Sequence, residues 1–168
     1  MKETISVKKV VFSGILIAIS VIFSFFYIPV GVAKCFPIQH MINVIAAVML
    51  GPAWSVGCAF VTSVIRVSTG TGTLLAFPGS MCGALLAGLA YKYMKNIFSA
   101  MIGEILGTGL LGSLLAYPVA VILLGKEVAI FAFLIPFLIS TLGGSILAGI
   151  ILKTMDKTIK IDNLKDKF

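Results

Sequence analysis

Five apolar runs, at residues 10–27, 38–65, 74–91, 97–124 and 128–152, take up most of this 168-residue chain. A spanning helix needs about 20 predominantly apolar residues, and each of the five runs is about that long or longer. With 60% apolar and only 11% charged residues, against about a quarter charged in a soluble domain, no globular core could hide so much apolar surface. The solvent implied is lipid, and the chain reads as an all-α membrane protein, one domain over 1–168.

The 28-residue run at 38–65 holds the key to the count, because Gly51-Pro52 stands in its middle. It is either one kinked helix or two short ones. Splitting it gives six spans, and with the N-terminus in the cytoplasm ten basic residues lie inside: Lys2, Lys8, Lys9, Lys92, Lys95, Lys153, Lys157, Lys160, Lys165 and Lys167. Three, Lys34, Arg66 and Lys126, lie outside. Leaving the run whole places five inside and eight outside, against the positive-inside rule. We therefore expect a compact bundle of six transmembrane helices, over roughly 10–27, 38–50, 53–66, 76–93, 97–118 and 128–152, with both termini cytoplasmic and a basic tail at 154–168. Pro52 opens the third helix. Spans two and three are short and need neighbours to shield their ends.

Residues 10–27 follow three lysines but end in no small-residue cleavage site, so they read as a retained first span. Cys35, Cys58 and Cys82 show no CxxC pairing and read as small buried hydrophobes. The net charge of +7 comes from lysines flanking apolar runs, which is topology and not a nucleic-acid surface. One histidine, no HExxH and no Cys/His cluster argue against a metal, a cofactor or a catalytic residue.

Polar groups inside apolar runs carry more information, because exposing them to hydrocarbon costs several kcal/mol and they turn toward partners, water or a ligand. His40 and Asn43 share a helical face, with Gln39 beside them; Thr62 and Arg66 do the same on the third span. Glu104 lies in the fifth span with Thr108 one turn on. For Glu104 the alternative is a structural pair with Arg66 or a hydrogen bond that pins two helices, and Arg66 itself can snorkel to the interface. Ser80 heads a small-residue face on the fourth span; Ser140, Gly144 and Ala148 form another on the sixth, and Gly14-xxx-Ala18 a third on the first. The connection STGTGTLLAFPG at 68–79 mixes hydroxyls, glycines and apolar residues, which suits a lid over a cavity, and residues 29–37 form the other half of such a cap. It lacks GxxxxGK[ST], so it is no nucleotide loop. A bundle with a polar pocket at one face and no ATPase motif reads as a binding subunit that depends on partners for energy.

The segments FPIQHMINVIAAVMLGP, TGTGTLLAFPGSMCGALLAGLAY and GEILGTGLLGSLLAYPVA together resemble the ThiW family, substrate-binding S components of energy-coupling factor (ECF) vitamin transporters, over about residues 8–153. The resemblance implies a six-helix S-component fold and a site near the outer face, capped by the first and third connecting loops. It implies as substrate the thiazole precursor of thiamine, 4-methyl-5-(2-hydroxyethyl)thiazole. The partners implied are a transmembrane coupling subunit (T component), two ATPase subunits and the lipid bilayer, with no chemistry on the substrate. Gly14 and Ala18 match the first-helix positions that contact the coupling subunit, with glycine where alanine is more usual. The substrate-binding set is Gln39, His40, Asn43, Arg66, Thr71, Phe77, Ser80, Glu104, Thr108 and Tyr117. Within it, His40, Asn43 or Thr108 are candidates to bond the hydroxyl or ring nitrogen, and Phe77 or Tyr117 to cover the ring. An S component for thiamine or its pyrimidine precursor is the alternative within transport. A small membrane scaffold or membrane enzyme is the alternative outside it.

Overall fold

The computed structural model describes residues 6–31, 33–161 and 165. Among these, six helices form the bundle: α1 (Val7–Phe25, its last turn a 3-10 turn), α2 (Pro37–Leu50), α3 (Pro52–Ser68), α4 (Ala76–Met94), α5 (Ile97–Leu123) and α6 (Leu134–Ile159). The run at 38–65 is split, as the charge count required. Gly51 takes φ +87°, a conformation that L side chains rarely adopt, and Pro52 starts α3 where its missing N–H costs nothing. Between α1 and α2 the chain makes a short hairpin, β1 (Ile28–Val30) antiparallel to β2 (Ala33–Cys35), turning at Gly31.

Three helices, α1, α5 and α6, are long and apolar enough to cross a membrane by themselves. With 14 residues α2 is not, at about 21 Å against a hydrocarbon core of about 30 Å. It survives because it is the central helix. From Ile42 to Leu50 every residue is buried, and Ile42, Val44, Ile45, Val48 and Met49 pack with Leu16 of α1, Ala100 of α5 and Ala148 and Leu152 of α6. Lipid supplies no hydrophobic drive between helices, so close packing of small residues carries the bundle. On α5, Gly107 lies so near α4 that a Cβ there would stand 2.7 Å from Gly83 Cα.

Three helix ends depart clearly from the expected spans. Helix α6 begins at Leu134, not near 128, because Pro136 needs a first-turn position where its ring and absent N–H are tolerated. It then runs through Ile159, so the tail expected from 154 begins as helix, and Ile161 is buried against the core. Helix α5 extends past 118 to Leu123, through π turns at Gly107–Gly112 and Val119–Leu123 that absorb its glycines and Pro118. Lys2, and residues 162–164 and 166–168 of the tail, Lys167 among them, lie outside the described residues.

Candidate substrate cavity

The shortness of α2 leaves room at its N-terminal end, and a cavity of about 360 Å³ occupies it. The hairpin contributes Tyr27, Pro29, Gly31, Ala33 and Lys34; the α3–α4 loop contributes Gly70, Thr71, Gly72 and Thr73. These are the first and third connections, and Ser24 Oγ, in the last turn of α1 just before the hairpin, donates to Thr71 Oγ1 of the third at 2.9 Å. Helices supply the remaining wall through Gln39, His40, Arg66, Ser80, Thr108, Phe137 and Ser140, and the α5–α6 connection adds Lys126.

One buried network holds His40 in place. Glu104 Oε1 lies 2.8 Å from His40 Nδ1, 3.0 Å from Asn43 Nδ2 and 3.1 Å from Thr108 Oγ1. With Asn43 donating to the same oxygen, we assign the ring hydrogen to Nδ1, which leaves Nε2 as the nitrogen open to a ligand. Asn43 also donates to Ser80 (3.1 Å to both its carbonyl and its hydroxyl), while its own carbonyl accepts from Ser55 Oγ at 3.0 Å. Thr108 Oγ1 lies 2.9 Å from the Gly79 carbonyl. The network thus joins α2, α3, α4 and α5.

Glycines make the crossing close enough for this. A Cβ on Gly83 would stand 2.6 Å from Glu104 Oε1, and one on Gly144 would stand 2.7 Å from His40 Cβ. The small-residue stripe of α6 therefore does more than close packing: Ser140 Oγ accepts from Phe36 N at 2.7 Å, fixing the start of α2.

Arg66 is the largest wholly buried side chain among the described residues, 1% exposed. Its guanidinium lies over the Phe36 ring at 3.8 Å, and Nε and Nη1 have no hydrogen-bond partner. The pairing with Glu104 weighed from sequence is absent; His40 takes that place.

Of the ten residues expected in the site, Gln39, His40, Arg66, Thr71, Ser80 and Thr108 line the cavity. Asn43 and Glu104 lie directly behind, holding His40 and Thr108. Phe77 and Tyr117 stand apart from it. Because α4 already starts at Ala76, Phe77 falls in its first turn and packs on Phe60 of α3, ring centroids 5.7 Å apart. The aromatic cover comes instead from Tyr27, Phe36 and Phe137. The sequence signal for the first two was their place at the edges of the first connection; for Lys126 it was its position against the charge rule. Phe137 had no such signal.

Gly14 and Ala18 sit on the exposed face of α1, and a Cβ at Gly14 would meet nothing within 4 Å. The three cysteines are free: Cys35 and Cys58 are buried, Cys82 half-buried. Cys35 donates to the Pro136 carbonyl at 3.0 Å, and burial pushes its thiol above the ordinary value. No group of three or more metal-ligating side chains occurs among the described residues.

Comparison with known proteins gives a consistent picture. The family described as "Thiamine-precursor transporter protein (ThiW)" matches residues 10–158. A solved structure described as the S component of a bacterial ECF transporter superposes with a TM-score of 0.77 at 18% identity, covering 91% of this chain and 98% of that one. No curated protein matches.

Proposed function

The chain belongs to the ThiW family of thiamine-precursor transporter proteins, and from that premise we propose that it is the substrate-binding S component of an ECF importer for hydroxyethylthiazole. As a transporter component it is no enzyme. The observation that carries the reading is the His40–Glu104–Asn43–Thr108 network set behind a cavity that two connecting loops cover. The volume falls at the low end of small-molecule sites, about 300–1,000 Å³. His40 Nε2 and the cavity hydroxyls suit the alcohol and ring nitrogen of a small heteroaromatic, and Tyr27, Phe36 and Phe137 suit its ring. Glu104, wholly buried, acts through His40 as a positioning residue.

In this reading the cavity faces outward and both termini face the cytoplasm, which follows from the basic residues. The exposed Gly14–Ala18 face of α1 docks on the membrane coupling subunit, and two ATPase subunits power release inward. Thiamine itself fits less well, because its cationic ring would meet Lys34, Arg66 and Lys126 in a lining without a carboxylate. Mass spectrometry of the small molecule retained by detergent-purified protein tests the assignment. A thiazole of the thiamine-precursor class is expected; thiamine, a pyrimidine or an unrelated vitamin would overturn it.

A further inference from the structure

Lys34, Arg66 and Lys126 are the three basic residues that oppose the charge pattern of the topology, and the structure brings all three to one cavity. They come from the hairpin, the end of α3 and the α5–α6 connection, so no single element groups them. Interface anchoring explains a lysine at a helix end; it does not explain why all three meet at one pocket with no Asp or Glu in its lining.

Arg66 makes the case specific. It is 1% exposed, its Nε and Nη1 have no hydrogen-bond partner, and no carboxylate among the described residues pairs with it. The Phe36 ring attracts the cation but offers no acceptor for its N–H groups. Glu104 makes no ion pair with Arg66: its Oε1 is held by His40, Asn43 and Thr108, and its buried Oε2 has no hydrogen-bond partner. A buried guanidinium left without acceptors is costly, and its planar fork of donors matches a carboxylate or phosphate. The N-terminal end of the 14-residue helix α2, the positive end of its dipole, opens on the same space through Gln39 and His40.

We infer that the cavity binds its ligand through an oxyanion: the ligand is a thiazole bearing a phosphate ester or a carboxylate, with Arg66 as the main anion contact and Lys34 and Lys126 at the rim. The ring identity rests on the proposed function; the oxyanion rests on the cations alone.

The test is a calorimetric titration of the full chain in detergent with hydroxyethylthiazole, its phosphate monoester and a thiazole carboxylate. It is repeated on Arg66→Gln and on Lys126→Gln, whose exposed side chain leaves the fold undisturbed. One or both acids should bind at least about tenfold more tightly than the alcohol, a preference that Arg66→Gln abolishes and Lys126→Gln reduces two- to threefold. The tighter acid identifies the source of the oxyanion. Alcohol binding equal to or tighter than both acids overturns the inference and leaves the thiazole reading intact. If no thiazole binds, the thiazole reading fails, and inorganic phosphate decides the rest. Thermal stabilisation by phosphate over chloride at equal ionic strength, weakened in Lys126→Gln and lost in Arg66→Gln, supports the anion site; no such stabilisation overturns it.

Discussion

Glu104 is where the account is most exposed at the scale of a single residue. Its Oε1 is the common acceptor for three donors from α2 and α5, so removing it strands buried polar groups. Glu104→Ala should destabilise the protein by about 3–5 kcal/mol, the range for breaking a buried pair, and lower the melting temperature in detergent. Glu104→Gln keeps an acceptor oxygen and should recover more than half of that loss. If Glu104→Ala melts like wild type, the network does not hold the site. The polar residues themselves were legible in the sequence, because a His, an Asn and a Glu inside apolar runs have few reasons to be there. Which of them meet was not, since His40 and Glu104 lie 64 positions apart and nothing local favours that pair over Glu104 with Arg66.

Elements decide how much of that chemistry reaches the cavity. Helix α2 starts late, at Pro37, and Gly144 of α6 passes so close that a methyl group there would press on His40 Cβ. Gly144→Ala should cost about 1–3 kcal/mol of stability and weaken ligand affinity by shifting the imidazole. Unchanged affinity would show that His40 is not the positioned contact. The last turn of α1, just before the hairpin, meets the threonine loop at Ser24 and Thr71, 2.9 Å apart between hydroxyls. A Ser24→Cys, Thr71→Cys pair, oxidised, should slow ligand dissociation at least about tenfold if these loops gate the cavity. The α2–α3 break was readable from Gly51-Pro52, whose turn and helix-start chemistry is local. The bond from Phe36 to Ser140 spans 104 positions and leaves no periodic trace, the hairpin strands are three residues each and too short to show one, and the late start of α6 turns on the single residue Pro136.

For the molecule as a whole, the charge pattern predicts an orientation, with the cavity outward and both termini cytoplasmic. A cysteine replacing Lys126 should be labelled by a membrane-impermeant maleimide from outside the cell, and one replacing Lys153 only after the membrane is opened; the reverse would invert the topology. Gly14 lies at the exposed groove between α1 and α3, away from the substrate cavity, and Gly14→Leu should impair uptake by the assembled transporter while leaving substrate binding to the isolated subunit unchanged. Six helices followed from apolar runs and lysines, whereas a cavity is a property of assembly: Tyr27, Phe137 and Lys126 join it from three separate connections or helices. The central claim, that this cavity is the substrate site, meets its most direct test in equilibrium titration of hydroxyethylthiazole into wild-type and His40→Ala protein. Saturable one-to-one binding, weakened at least about tenfold by the substitution, is the predicted result. Equal binding by the two proteins, or none by wild type, would contradict it.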